Sequence, residues 1–379
     1  MVMRSTAGAL RVAFVHEWLT SYGGAERVLE AMLELYPEAV IHTLVHKPEA
    51  IAHSPLSRAH VKTSFVDRLP LAHKHWRVYL PLMPWAIEQL DLRGYDLVLS
   101  FSHSLSHGVL VRHDRLHLCY MYSPARFAWH QHQDYLDMFG LRRGPRAAAI
   151  RLFLHYFRLW DHAAAGRVDR FLAVSQSTAQ AIWRAYRRRA QVIYPPVDMQ
   201  RFRPIEPRGD HYVTLTRLVP HKHVDLIIRA CQRLGRPLVV IGDGPERGRL
   251  ASMAAGGIRL VGWQSDDEIS RLLGSARGFI HAAEEDFGIA PVEAQAAGCP
   301  VIGYAVGGLR ESVKDGETGV LFEERSTTAL EAALLRFESI ESSLDRASIR
   351  RSVERFSKQT FQAAMRAAID QANQDFGRA

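Results

Sequence analysis

Short apolar runs alternate along almost the whole chain with stretches whose apolar residues recur every three or four positions. That alternation predicts βαβ units and a parallel sheet. The first run, Val12–Val15, leads through a loop holding Gly23 and Gly24 into a helix beginning near Ala25, with Val28, Leu29, Met32 and Leu33 on one face. Leu97–Phe101, Leu116–Tyr120 and Phe171–Val174 read as further strands, and Ser175, Ser177 or Thr178 can cap the helix after the last of them. These elements predict a first Rossmann-like domain.

The segment from Val192 to Pro204 contains three prolines, which stiffen a connection and forbid a continuous helix. The alternation then restarts. Val213–Thr216, Leu238–Ile241, Arg259–Val261, Gly278–His281 and Val301–Gly303 read as strands, and helices begin near Val224, Pro245, Asp266, Ile289 and Leu309. A last helix, Phe356 to about Gln374, carries Phe361, Met365 and Ile369 on one face. The expected α/β architecture is two Rossmann-like domains, residues 1–204 and 205–355, with a C-terminal helix over 356–379.

Composition narrows the class. Hydrophobic residues at 47% and charged residues at 23% are the proportions of an ordinary globular protein. Three scattered cysteines, Cys119, Cys231 and Cys299, form no CxxC pair, so neither a disulfide framework nor a zinc site is implied, and a reducing cytoplasm fits. No leader peptide and no membrane-spanning run is expected. The net charge of +8 sits wholly in residues 1–200, which hold 24 basic and 16 acidic side chains. A basic half fits an acidic partner such as anionic lipid or a diphosphate, or is simply an Arg-rich solvated surface.

The most informative segment is Glu285-Asp-Phe-Gly-Ile-Ala-Pro-Val-Glu293, a strand-to-helix loop. In an open α/β sheet, ligands bind at such loops, outside the carboxyl ends of the strands. Phe287, Gly288 and Ile289 bring backbone N–H groups to a helix N-terminus, which suits phosphate oxygens. Glu285 and Glu293 can accept hydrogen bonds from sugar or ribose hydroxyls, or act only as acids favoured by the helix dipole. Arg217 and Lys222 follow the strand Val213–Thr216 and can clamp a diphosphate. Gly242, in the turn Ile241-Gly-Asp-Gly-Pro245, permits a tight loop near a ligand, but the turn is not a dinucleotide fingerprint. The acidic cluster Asp266-Asp-Glu268 opens a helix and reads as a cap rather than a metal site.

Taken together, the Glu-(x)7-Glu segment with Ala-Ala-Gly-Cys-Pro-Val301, the Arg217…Lys222 pair, the Gly-Asp-Gly-Pro turn, Val306-Gly-Gly-Leu-Arg-Glu311 and Asp315-Gly-Glu-Thr-Gly319 resemble glycosyltransferase family 4 in the family's order. The resemblance implies the GT-B fold, two Rossmann-like domains facing across a cleft, with the acceptor in the first, a nucleotide-sugar donor in the second, and the last helix crossing back. It implies a retaining hexosyl transfer that uses no metal and no other cofactor. On this resemblance Arg217 and Lys222 hold the donor diphosphate, Glu285 meets the donor sugar and Glu293 the ribose. Gly23 and Gly24 lie beside the phosphates and acceptor, and His103, just past a strand end, stands against the donor sugar, with His107 as its competitor.

Tyr122-Ser-Pro-Ala-Arg-Phe-Ala-Trp129 is similar to a stretch in bacterial mannosyltransferases that build O-antigen and exopolysaccharide, with Ser123 in place of the usual Thr. It implies a GDP-mannose donor and a saccharide or polyprenyl-diphosphate-linked acceptor, with Arg126 and Trp129 binding an acid or phosphate and stacking on a sugar. The loop reads equally as packing. Leu69–Leu90, with Trp76, Tyr79, Leu80, Leu82, Met83 and Trp85 among Lys74 and Arg77, and the 147–165 helix, with Arg151, His155, Arg158 and His162 opposite Ile150, Phe153, Leu154, Phe157 and Trp160, fit an anionic membrane surface or a core. A peripheral place on the inner face of the cytoplasmic membrane is therefore expected. The rival readings are a nucleotide-sugar epimerase of the same fold, which needs more acid/base groups, and a nucleic-acid-binding module, for which no motif is present.

Overall fold

Strands covered by helices on both faces have no polar side, and the uninterrupted apolar runs of this chain fold accordingly. The computed structural model describes residues 10–129, 133, 136 and 143–377. Its first sheet comprises β1 (Val12–Leu19), β2 (Val40–His46), β3 (Val61–Thr63), β4 (Leu97–Ser102), β5 (Leu116–Met121), β6 (Arg170–Ala173) and β7 (Ala190–Val192). The order is β3-β2-β1-β4-β5-β6-β7, parallel throughout. The second sheet comprises β8 (Tyr212–Leu215), β9 (Leu238–Ile241), β10 (Ile258–Gly262), β11 (Gly278–His281), β12 (Val301–Tyr304) and β13 (Gly319–Phe322), in the parallel order β10-β9-β8-β11-β12-β13.

Each order reverses direction once, between β1 and β4 in the first sheet and between β8 and β11 in the second. Crossovers leave to opposite sides at such a point, so the carboxyl ends of the two strands flank a crevice. The helices that matter below are α1 (Gly24–Leu35), α2 (Pro145–Ala165), α3 (Gln176–Tyr186), α4 (Val224–Arg233), α5 (Ile289–Ala296), α6 (Thr327–Ile340) and α7 (Lys358–Phe376). In the first unit, α2 lays Leu154 and Phe157 on a core with Val15, Leu44, Ile87 and Val98. In the second, α4 and α6 pack Ile227, Leu330 and Phe337 against Leu238, Val240, Ile280 and Ile302. The three cysteines are free and buried.

Two compact units result, Met1–Tyr194 with Gln362–Ala379, and Pro195–Phe361. The division falls before the prolines, whereas the sequence reading placed it after Pro204. The reason is local: Val197 N donates to Phe356 O at 2.8 Å, and Arg350 holds the carbonyls of Met199 and Phe202. The final helix returns to the first unit, where Gln362 Nε2 donates to Ala31 O at 2.9 Å on α1.

Candidate functional site

At the switch point of the second sheet, β8 runs into Thr216 and Arg217, a short 3-10 turn over Pro220–Lys222, and then α4. From the other side, β11 runs into the loop Ala282–Gly288 and then α5. Lys222 Nζ donates to Glu285 Oε1 at 2.6 Å, so two residues expected to serve different parts of one ligand bind each other. Their side chains are 19% and 28% exposed, open enough for a ligand to replace either partner. Buried His281, at the end of β11, places Nε2 3.7 Å from the same carboxylate oxygen. Burial pushes its pKa down to about 4, against the pull of Glu285 and with the push of Lys222, so the imidazole is neutral near pH 7. Arg217 is exposed.

The Glu285 loop is held by backbone contact. Gly308 N donates to Glu285 O at 3.0 Å, and a Cβ on Gly307 would lie 2.1 Å from that carbonyl. Gly288 has φ +84°, the left-handed region that favours glycine, and starts α5 without a side-chain cap. The first N–H groups of α5, at Ile289 and Ala290, therefore lack partners within the helix, the arrangement that accepts phosphate oxygens. Phe287 is buried with its ring edge-on to Phe356 at 5.2 Å, so only its backbone is offered to a ligand. Glu293, also buried, lies 3.9 Å from Arg201 Nη1. Gly242 sits in a tight turn: a Cβ there would meet Thr216 O at 1.9 Å, so its missing side chain lets β9's turn approach the loop of β8 that carries Arg217.

The first sheet's switch point is built differently. β1 continues to Leu19, four residues past the expected end, and so carries His16 and Glu17 within the strand. His16 Nε2 pairs with Glu26 Oε1 at 3.3 Å, both buried. Gly23 and Gly24 open α1 with no side-chain cap, and Glu26 sits in its first turn, where the helix dipole favours a negative charge. Neither glycine has positive φ. A carboxylate thus already occupies the helix end beside which the resemblance put phosphate.

Glu17, fully buried, reaches the loop after β4. Its Oε1 accepts from Ser102 Oγ at 3.2 Å and from the N–H groups of His103, Ser104, Leu105 and Ser106 at 3.0, 2.6, 2.5 and 3.2 Å. Its Oε2 is paired with His103 Nδ1. Burial works to raise the carboxyl's pKa, but the His103 charge and hydrogen bond, the Leu105 N–H and the His16 charge outweigh it and hold the pKa down to about 2. His103 keeps 35% of its side chain exposed and stands edge-on to Trp18 at 4.8 Å, with the Trp76 ring tilted by 30° against Trp18 at 4.1 Å.

His107 is wholly buried, which separates it from His103. Its Nδ1 is 3.0 Å from Ser102 Oγ and its Nε2 3.3 Å from Asp161 Oδ1 on α2. Asp161 also accepts from Tyr186 OH on α3 at 2.8 Å and from Trp129 Nε1 at 2.7 Å. Of the two readings of Trp129 the structure favours packing: its indole N–H is bound inward and its half-buried ring packs edge-on to Tyr186 against the core. Arg126, in the same segment, is half-buried.

The surface stretches are also rearranged. In α2, Leu154 and Phe157 are buried and Ile150, Phe153 and Trp160 pack against the core, as in any core helix. The outer face exposes Leu152, Tyr156 and Leu159 beside Arg151 and His155. In the 69–90 stretch Met83 is buried and Trp76, Tyr79 and Leu80 turn inward, while Leu71, Val78, Leu82 and Trp85 are exposed. Among the described residues, no helix is long and apolar enough to cross a membrane, and no group of three His, Cys, Asp or Glu side chains is placed to hold a metal ion.

Sequence reasoning missed His16, Glu17, Glu26 and His281. For His16, Glu17 and His281 the signal was a polar residue at the end of an apolar run, and for Glu26 an acid in the first turn of a helix, neither of which a sequence alone distinguishes from an ordinary loop or helix start.

Comparison with known proteins covers both units. A family model described as Glycosyltransferase Family 4 matches residues 22–201, and one described as Glycosyl transferases group 1 matches residues 199–355. The D-inositol 3-phosphate glycosyltransferase of Mycobacterium marinum is 29% identical over 192 residues, 44% of this chain and 41% of that protein. Its Mycobacterium tuberculosis counterpart is 33% identical over 157 residues, 35% of this chain and 32% of that protein. The chain spans about two fifths or less of the length of these curated relatives. Among solved structures, Anabaena HepE in complex with UDP and glucose aligns with a TM-score of 0.70 at 16% identity, covering 95% of this chain and 99% of that one. Sucrose-phosphate synthase from Thermosynechococcus elongatus gives 0.72 at 17%, covering 95% and 98%. At such identities the likeness is one of fold.

Proposed function

The chain belongs to glycosyltransferase family 4 and has its GT-B fold, and we propose that it moves a hexose from a nucleotide sugar to a saccharide or lipid-linked saccharide acceptor, with retained anomeric configuration and no metal. The observation that carries this reading is the second switch point, where Lys222 and Glu285 meet beside the uncapped N-terminus of α5. A diphosphate entering there takes hydrogen bonds from Ile289 and Ala290 and draws the Lys222 ammonium to itself. That releases the Glu285 carboxylate, which then accepts from a hydroxyl of the donor sugar. Glu293 serves the ribose. His103 acts on the donor sugar, holding a hydroxyl while positive character develops on the ring as the diphosphate leaves. Cell-surface polysaccharide synthesis is the setting that fits such an acceptor.

Glucose from UDP-glucose, the pairing suggested by the UDP and glucose bound to HepE, and mannose from GDP-mannose, favoured by the Tyr122–Trp129 segment, are the donors to try first. The test is titration of the full chain with UDP, GDP, UDP-glucose and GDP-mannose, followed by an assay for release of the nucleoside diphosphate. Saturable binding of one pair is expected; no binding of any would overturn the reading. Peripheral attachment through the exposed Leu152, Tyr156 and Leu159 beside Arg151 completes the proposal. Sedimentation with anionic vesicles should fall as salt rises, because exposed charge contacts are screened. Equal binding to neutral and anionic vesicles would contradict it.

A further inference from the structure

We propose that Glu17 is a positioning residue that fixes the tautomer and orientation of the His103 imidazole, an inference resting on the reading of His103 as the group that acts on the donor sugar. The two carboxylate oxygens divide the work. Oε1 gathers the Ser102 hydroxyl and the four successive N–H groups of His103–Ser106, which fixes the loop that bears the histidine. Oε2 is in ion-pair contact with His103 Nδ1. A carboxylate needed only to cap the loop would use the first oxygen alone; the second is committed to the ring.

The placement follows from the sheet. β1 and β4 are adjacent and in register, His16 against Phe101, which sets Glu17 beside Ser102 and the loop that follows. Ionised and fully buried, Glu17 can only accept hydrogen bonds, so the ring nitrogen facing it must carry a proton. In the neutral imidazole the lone pair then belongs to Nε2. The ring is braced by Trp18 from β1, and Tyr122, following β5, lies 6.5 Å away between ring centroids. The other titratable groups around this carboxylate are accounted for: His16 faces Glu26, and His107 reaches Glu17 only through the Ser102 hydroxyl and is tied to Asp161. Glu17 thus does for His103 what a carboxylate does behind any working imidazole, selecting which nitrogen meets the ligand.

Replacing Glu17 by Gln separates this role from capping. The loop N–H groups need an oxygen where Oε1 stands, so the amide nitrogen of the substituted side chain falls opposite His103 Nδ1 and demands the other tautomer. The full chain labelled with 15N-histidine is examined by long-range proton–nitrogen correlation, with His103→Ala supplying the assignment. Wild type should show His103 protonated on Nδ1, Glu17→Gln should move the proton to Nε2, and Glu17→Asp should restore the wild-type pattern. With UDP-glucose or GDP-mannose as probe, Glu17→Gln should lower kcat about 10-fold or more with the donor KM nearly unchanged, and Glu17→Asp should recover part of the loss. An unchanged His103 tautomer in Glu17→Gln, or a raised KM at constant kcat, would overturn the proposal. Should Glu17→Gln not fold, the wild-type spectrum decides, since a His103 protonated on Nε2 contradicts it. A wild type that turns over no nucleotide sugar defeats the functional reading instead, and the spectra still decide whether Glu17 positions the ring.

Discussion

Glu17 and Glu285 occupy matching places, each near the carboxyl end of a strand at the switch point of a parallel sheet, yet their surroundings differ in kind. Glu17 is fully buried, with five donors converging on one oxygen and His103 on the other. Glu285 is 28% exposed and bound by the ammonium of Lys222. The first carboxylate cannot be recruited by a ligand without dismantling a loop, whereas the second exchanges one ionic partner for another. A carboxylate's place in the fold therefore does not settle its role. The first switch point is closed on its own donors, whereas the second presents a part-exposed ion pair.

The largest expected effect breaks the closed side. His103→Ala should lower turnover by about 10²-fold or more, the scale of losing one transition-state contact, with diphosphate affinity nearly unchanged and thermal stability reduced, because the buried Glu17 Oε2 loses its ionic partner. His107→Ala should spare turnover per folded molecule. It removes a wholly buried ring and takes one contact each from Ser102, which keeps Glu17, and from Asp161, which keeps Tyr186 and Trp129, at a cost of about 0.5–3 kcal/mol of stability, while donor binding in the folded protein persists. Thermal melts and turnover per folded molecule measured on both variants check this; equal losses of turnover would undo the distinction between the two histidines.

Acid sharpens the comparison. The Glu17 pKa is about 2 in the folded chain against an ordinary value of 4.5. A depressed folded-state value stabilises above the unfolded value and is lost as pH falls through the folded one. Glu17 therefore contributes about 3 kcal/mol near neutral pH, declining between roughly pH 5 and pH 2. Urea unfolding of wild type and Glu17→Gln should give a stability gap that narrows as pH falls from about 5 toward 3. Parallel curves would show that the charge of Glu17 is not held by the fold.

How much of this was legible in the sequence differs between the same two regions. The second site rests on backbone: Gly288 at positive φ, the Gly307-Gly308 pair against the Glu285 loop, and an uncapped helix end. Such requirements leave glycines at fixed places, which the sequence displays. The Glu17 arrangement leaves no such trace, because it joins β1 to a loop more than eighty residues away through N–H groups that any residue supplies. The same limit hid four strands. β3 and β7 are three-residue edge strands with Lys62 and Gln191 exposed, and β2 interrupts its apolar pattern with His42 and Thr43, buried against their neighbours. Gly319 in β13 would put a Cβ 2.0 Å from Val301 O, so a residue that reads as a turn is instead a close approach within the sheet.

The central claim, that a nucleotide-sugar donor is received where Lys222 and Glu285 meet, is tested most directly by calorimetric titration of UDP and GDP into wild type, Lys222→Ala and Glu285→Gln. Losing Lys222 should weaken diphosphate binding by about 1.5–3 kcal/mol, the value of a charge-assisted hydrogen bond. Losing the Glu285 charge should tighten it by a smaller margin, up to about 1 kcal/mol, because the ammonium no longer has to leave a partner. Opposite signs in the two variants are the predicted result. Equal weakening in both, or an affinity indifferent to both, would contradict the account.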